Sequence, residues 1–83
     1  MALFEYNICN QADQKLFALQ CQALEAHIPE LRADEILTDV DGSTVQTYRH
    51  QNGTIKVKND VLVDALYVIS DFDLTPYFNE SAN

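Results

Sequence analysis

The tripeptide Gln51-Asn52-Gly53 lies between two runs of alternating polarity, Thr44–His50 and 54–58. Asn-Gly is the strongest short signal for a β-hairpin, because both residues tolerate the positive φ of a tight two-residue turn. Val45, Thr47 and Arg49 alternate with Gln46, Tyr48 and His50, and Ile55 and Val57 alternate with Lys56 and Lys58. A hairpin with one apolar and one polar face follows. Everything else must be built on it within 83 residues. That length allows one domain over 1–83, and so short a chain buries only about 60% of the surface it exposes when unfolded.

Upstream, residues 2–8 are rich in aromatic and branched side chains, with Leu3, Glu5 and Asn7 facing one way and Phe4, Tyr6 and Ile8 the other, the pattern of a half-buried strand. Asn10 and Asp13 are spaced as a helix start, where a side-chain oxygen accepts from an orphan N–H and an acid favours the positive helix end. The helix runs to about Ile28, because Leu16, Phe17, Cys21, Leu24 and Ile28 fall on one face of about 140°. Pro29 ends it. Residues 29–37 suggest a short second helix with Ala33, Ile36 and Leu37 turned inward. The run 61–70 fits a helix face through Leu62, Ala65, Leu66 and Ile69, but its branched and aromatic content favours a strand. At a sheet edge, such a strand offers unpaired backbone to a second copy of the chain. Phe72, Leu74, Tyr77 and Phe78 would pack before the end frays over 79–83. The expected fold is α+β: a single antiparallel sheet of about four strands, ordered β-α-(α)-β-β-β along the chain, with the long helix on one face.

Thirteen acids stand against five bases, a net charge of -8. Direct nucleic-acid binding needs a basic footprint and is disfavoured, as is attraction to an anionic membrane. No apolar run approaches a membrane span. The first ten residues lack a basic n-region, so the reading is a protein of the cytoplasm. There Cys9 and Cys21 stay reduced and behave as small hydrophobes.

The string ILTDVDGS at 36–43 is similar to the first motif of haloacid-dehalogenase-type phosphatases, in which the first Asp is the nucleophile and the second the general acid/base. On that resemblance the roles would fall to Asp39 and Asp41, with Ser43 standing where Thr is usual. That family builds a doubly wound parallel sheet from βαβ units. The chain from Ser43 onward opens instead with an antiparallel hairpin. As a calcium loop starting at Asp39, the string puts Thr44 where glycine is needed and His50 where glutamate is needed. Cys9, Cys21, His27 and His50 show no zinc-ligand spacing. No nucleophile elbow or phosphate loop is present. The reading is a chain without catalysis or cofactor.

Charge is unevenly spread. Residues 30–41 hold five acids and one base, Arg32, while residues 59–83 hold five acids and no base. Arg49, Lys56 and Lys58 sit in the hairpin. If the acidic segments converge, Asp34, Glu35, Asp39, Asp41, Asp71 and Asp73 form a negative patch suited to a basic partner. Tyr67, Tyr77 and Phe78 are candidate aromatic anchors. In size and composition the chain resembles small acidic inhibitors, the toxin-immunity and anti-CRISPR proteins. This implies a protein-binding module that covers a basic surface of a nuclease or other nucleic-acid-handling protein. The alternative is a structural or regulatory subunit that binds itself as a homodimer.

Overall fold

The computed structural model describes residues 3–77. Along the chain come strand β1 (Phe4–Cys9), helix α1 (Gln14–His27), two-residue strands β2 (Arg32–Ala33) and β3 (Leu37–Thr38), and strands β4 (Thr44–His50), β5 (Gly53–Asp60) and β6 (Ala65–Ser70). They form one antiparallel sheet in the order β1-β6-β5-β4-β2, with β3 also on β4. The α+β class stands, with six strands rather than four. The difference arises in 29–37. No helix forms there, and Ala33, Ile36 and Leu37 point to solvent as the segment makes two brief contacts with the β4 edge.

The hairpin forms with His50 opposite Gly53, so its loop is Gln51-Asn52 rather than Asn52-Gly53. Among these turn residues only Gly53 has a positive φ, 148°. A Cβ there would lie 1.8 Å from Asp71 Oδ1, so glycine serves the close approach as well as the dihedral. Asp71 in turn accepts from the Thr54 N–H at 2.8 Å. The run 61–70 divides into a turn at 61–64 and a strand at 65–70. That strand lies between β1 and β5, so it is not an edge; the long edge strand is β1.

Helix α1 starts at Asp13, not Asn10: the Asp13 carboxylate accepts from the N–H groups of Lys15 and Leu16. Its apolar stripe, Phe17, Cys21, Leu24 and Ile28, joins Tyr48, Ile55, Val57, Leu66, Val68 and Leu74 in one buried cluster. Leu16, expected on that stripe, lies at its margin and is exposed. In β1 a register shift between Asn7 and Cys9 places Cys9, not Ile8, against the core. His50 stacks on Phe72, ring centroids 5.3 Å apart.

Two polar contacts fix the helix on the sheet. The buried Tyr48 hydroxyl donates to Glu25 Oε2 at 2.6 Å, and the Cys21 carbonyl lies 3.3 Å away. Burial, then the hydrogen bond to Glu25, push the Tyr48 phenol far above its ordinary pKa. At the helix start, buried Asn59 accepts from the Asp13 N–H at 2.9 Å and donates to Gln14 Oε1 at 3.2 Å, an oxygen that also receives the Thr44 hydroxyl. Replacing Asn59 by leucine adds apolar surface but strands the Asp13 N–H, a desolvation cost of about 1–3 kcal/mol. Asn59→Leu is therefore expected to lower stability by ~2 kcal/mol in urea unfolding; an unchanged midpoint would show the latch to be dispensable.

Candidate protein-binding surface

After α1, Pro29 and a left-handed Glu30 (φ 62°) turn the chain along the outer side of β4. The segment is pinned by its backbone. The Asp34 N–H donates to the Thr47 carbonyl at 2.9 Å, and Gln46 Nε2 donates to the Asp34 carbonyl at 2.5 Å. Every side chain from Arg32 to Val40 is exposed. This strap carries Asp34, Glu35, Ile36, Leu37, Asp39 and Val40 in sequence, mixing acids with apolar groups.

The strap ends in a tight turn. Asp39 Oδ1 accepts from the Val40 N–H at 2.7 Å and Asp41 Oδ1 from the Ser43 N–H at 2.8 Å. Gly42 takes a φ of 92°. Val40, at the tip, has its whole side chain in solvent. The Ser43 N–H, and secondarily its hydroxyl, hold the Asp41 carboxyl below the usual carboxylate range.

The turn between β5 and β6 lies beside it, joined by a hydrogen bond from the Val61 N–H to Ser43 Oγ at 2.9 Å. Asp60 organises this second turn: Oδ1 accepts from the N–H groups of Leu62 and Val63, while Oδ2 faces the Tyr67 hydroxyl at 3.4 Å and Lys58 Nζ at 3.8 Å. Asp64, left-handed at φ 55°, accepts from the Ala12 N–H at 2.8 Å. With the N–H groups of Val61, Leu62 and Val63 bonded inward, the side chains face out, Leu62 at 81% exposure. Contiguous apolar exposure of this kind, set among acids, marks interaction surfaces.

The six acids suggested by the sequence are thus divided. Asp34, Glu35, Asp39 and Asp41 follow one another along the strap, with Asp39 and Asp41 at the Thr44 end of β4. Asp34, beside Arg49 near the other end, lines the same groove as Asp71, and Asp71 and Asp73 follow the C-terminal end of β6. The length of β4 separates Asp39 and Asp41 from Asp71, about 20 Å at ~3.4 Å per residue. Asp71 binds Thr54 through both its N–H and hydroxyl. Asp73 accepts from the Thr75 N–H and the Tyr6 hydroxyl, and these bonds, Thr75 first, hold its carboxyl below the usual range. Tyr67 is half-buried beside Lys58, and Tyr77 is half-buried against the core. Phe78 and the expected fraying at 79–83 lie outside the described residues. Sequence reasoning missed Asp64, Val40, Leu62 and Val63. The signal was present in Asn59-Asp60, two turn-forming residues directly before the apolar run.

On the sheet face away from α1, strand alternation places Arg32, Arg49, Lys56 and Lys58 together. Arg32 and Arg49 are direct cross-strand partners, and Asp34 relieves their repulsion by pairing with Arg49 at 3.0 Å. Among the described residues no group of three or more His, Cys, Asp or Glu side chains is placed to hold a metal, and no helix is long and apolar enough to cross a membrane. Among the described residues every strand pair is antiparallel, whereas the 36–43 string implies a doubly wound parallel scaffold. No protein-family model, curated protein or solved structure matches the chain.

Asp41 and Asp73 both bind protons less readily when folded than when unfolded. Their stabilising effect is present above about pH 4 and is lost as pH falls through their lower folded-state values. The thermal midpoint is expected to drop between about pH 4 and pH 2, and more shallowly in Asp73→Asn. Parallel profiles for the two proteins in calorimetry would contradict this assignment.

Proposed function

We propose that the chain is a small non-catalytic binding module whose strap and β5–β6 turn dock on a basic protein. The reading is carried by one observation: on two hydrogen-bonded segments, exposed Ile36, Leu37, Val40, Val61, Leu62 and Val63 are interleaved with Glu35, Asp39, Asp41 and Asp64. Acids at the rim steer an oppositely charged partner and raise its association rate. Apolar groups at the centre then exclude water and slow release. With a net charge of -8, a fitting partner is a nuclease or other nucleic-acid-handling protein of the cytoplasm, whose basic surface the module would cover as an inhibitor of immunity-protein or anti-CRISPR type does. The module itself takes neither nucleic acid nor membrane as its partner, on the same charge argument.

The test starts with a tagged pull-down washed at rising salt and continues with the purified partner. Double reversal, Asp39→Lys with Asp41→Lys, is expected to weaken binding at least tenfold and to flatten its salt dependence. Leu62→Lys is expected to weaken it comparably while leaving the salt dependence steep, because apolar burial is not screened. Unaltered affinity in both variants, measured by calorimetry, would remove the strap and turn as the binding surface.

A further inference from the structure

Residue 53 has to be glycine, because Asp71 occupies the space that a Cβ would need. The residue before it therefore has a neighbour without a side chain to shield its main-chain nitrogen. That residue is Asn52, exposed in the turn between β4 and β5. Its N–H donates to His50 Nδ1 at 3.1 Å, whereas its side-chain amide makes no hydrogen bond to a described residue. The other described asparagines differ on both counts. Asn7 donates to Asn10 between side chains at 2.7 Å, and Asn59 bridges Asp13 and Gln14. They are followed by Ile8, Gln11 and Asp60, each of which places a Cβ beside the nitrogen.

We infer that Asn52 is a site of spontaneous hydrolytic modification, by way of a cyclic imide formed with the Gly53 nitrogen. That nitrogen attacks Asn52 Cγ, the Cγ–Nδ2 bond breaks, and Nδ2 leaves as ammonia with the proton lost from the Gly53 N–H. Both reacting groups belong to adjacent residues, so a five-membered ring closes without a bimolecular encounter. Water then adds to one of the two ring carbonyl carbons. Breaking the Cγ–N bond gives aspartate at 52. Breaking the bond between the main-chain carbonyl carbon and the nitrogen gives isoaspartate, with the chain rerouted through Cγ. An amide is exchanged for a carboxylate at the cost of one water, and nothing is oxidised or reduced.

Either product puts a new negative charge in the groove that Asn52 shares with Arg49, Lys56 and Asp71. The isoaspartyl form also adds one carbon to the main chain inside a two-residue loop, directly beside the His50–Gly53 pair that closes the ladder. It therefore loosens the β4–β5 hairpin. The Asp39–Asp41 turn lies at the other end of β4, so the change acts on the stability of the fold and not on the docking surface proposed above.

The experiment is to hold the folded full chain at mildly alkaline pH and body temperature for two weeks, then to map its peptides by mass spectrometry with an isoaspartate-specific readout. Asn52 is expected to be converted, isoaspartate exceeding aspartate, at least tenfold faster than Asn7, Asn10 or Asn59. The isoaspartyl fraction, separated by ion exchange, is expected to unfold at lower urea than fresh protein. Asn52→Ser alters an exposed side chain and is expected to keep the circular dichroism spectrum and to gain no new acid at this turn. An Asn52 that is unchanged after incubation overturns the inference. So does conversion that is no faster at Asn52 than at Asn7 or Asn59.

Discussion

A single helix stripe sharing one dry cluster with the inner residues of β4, β5 and β6 is the constraint on which the other elements depend. Phe17, Leu24 and Ile28 are almost wholly removed from water, each worth about 1.5–3 kcal/mol of transfer free energy. Such burial is non-directional and would tolerate a helix slid along the sheet. Direction comes from polar atoms. Tyr48 holds the last turn of the helix through Glu25, and Asn59 holds its first turn through Asp13 and Gln14. With both ends fixed, the chain leaving the helix at Pro29 can only run along the β4 side, and the strap follows from that exit.

The distribution of charge separates structural acids from those that face outward. Asp60, Asp71 and Asp73 accept two or more protein hydrogen bonds each, organising a turn, the start of β5 and the chain after β6. Glu35 and Asp39 lie on the exposed strap. The two ends of the sheet are about 20 Å apart at ~3.4 Å per residue, roughly twice the screening distance at physiological salt. Each end therefore presents its own local field, and a charge at the Asp39–Asp41 turn senses little of Asp71.

The parts of this fold written in periodicity were legible in the sequence. The alternation of Tyr48 with Arg49 and of Ile55 with Lys56 gave β4 and β5, and the 3.6-residue spacing of Phe17, Cys21, Leu24 and Ile28 gave α1. Features set by long-range packing were not legible. Residues 29–37 have local helix character, but β4 offers an edge that their backbone satisfies instead. Val61, Leu62 and Val63 look like strand because branched residues suit a pleated sheet. Asp60 accepts from the N–H groups of Leu62 and Val63, however, and Ser43 from that of Val61, so the chain turns before a ladder can form. The acidic residues were legible as a set, and their division between two ends was not, because charge spacing along a chain carries no information about which loops meet.

The pairing of Phe4 with Ser70 has a kinetic consequence. From β4 to β6 each strand neighbours the next in sequence, so those three can zip from the Gln51-Asn52 turn outward. Strand β1 has to return across nearly the whole chain. Going from a two-residue loop to one of about sixty is roughly five doublings, or ~3 kcal/mol of extra closure entropy. The meander and α1 can therefore assemble while β1 is still unpaired, and β1 is the strand whose docking completes the sheet.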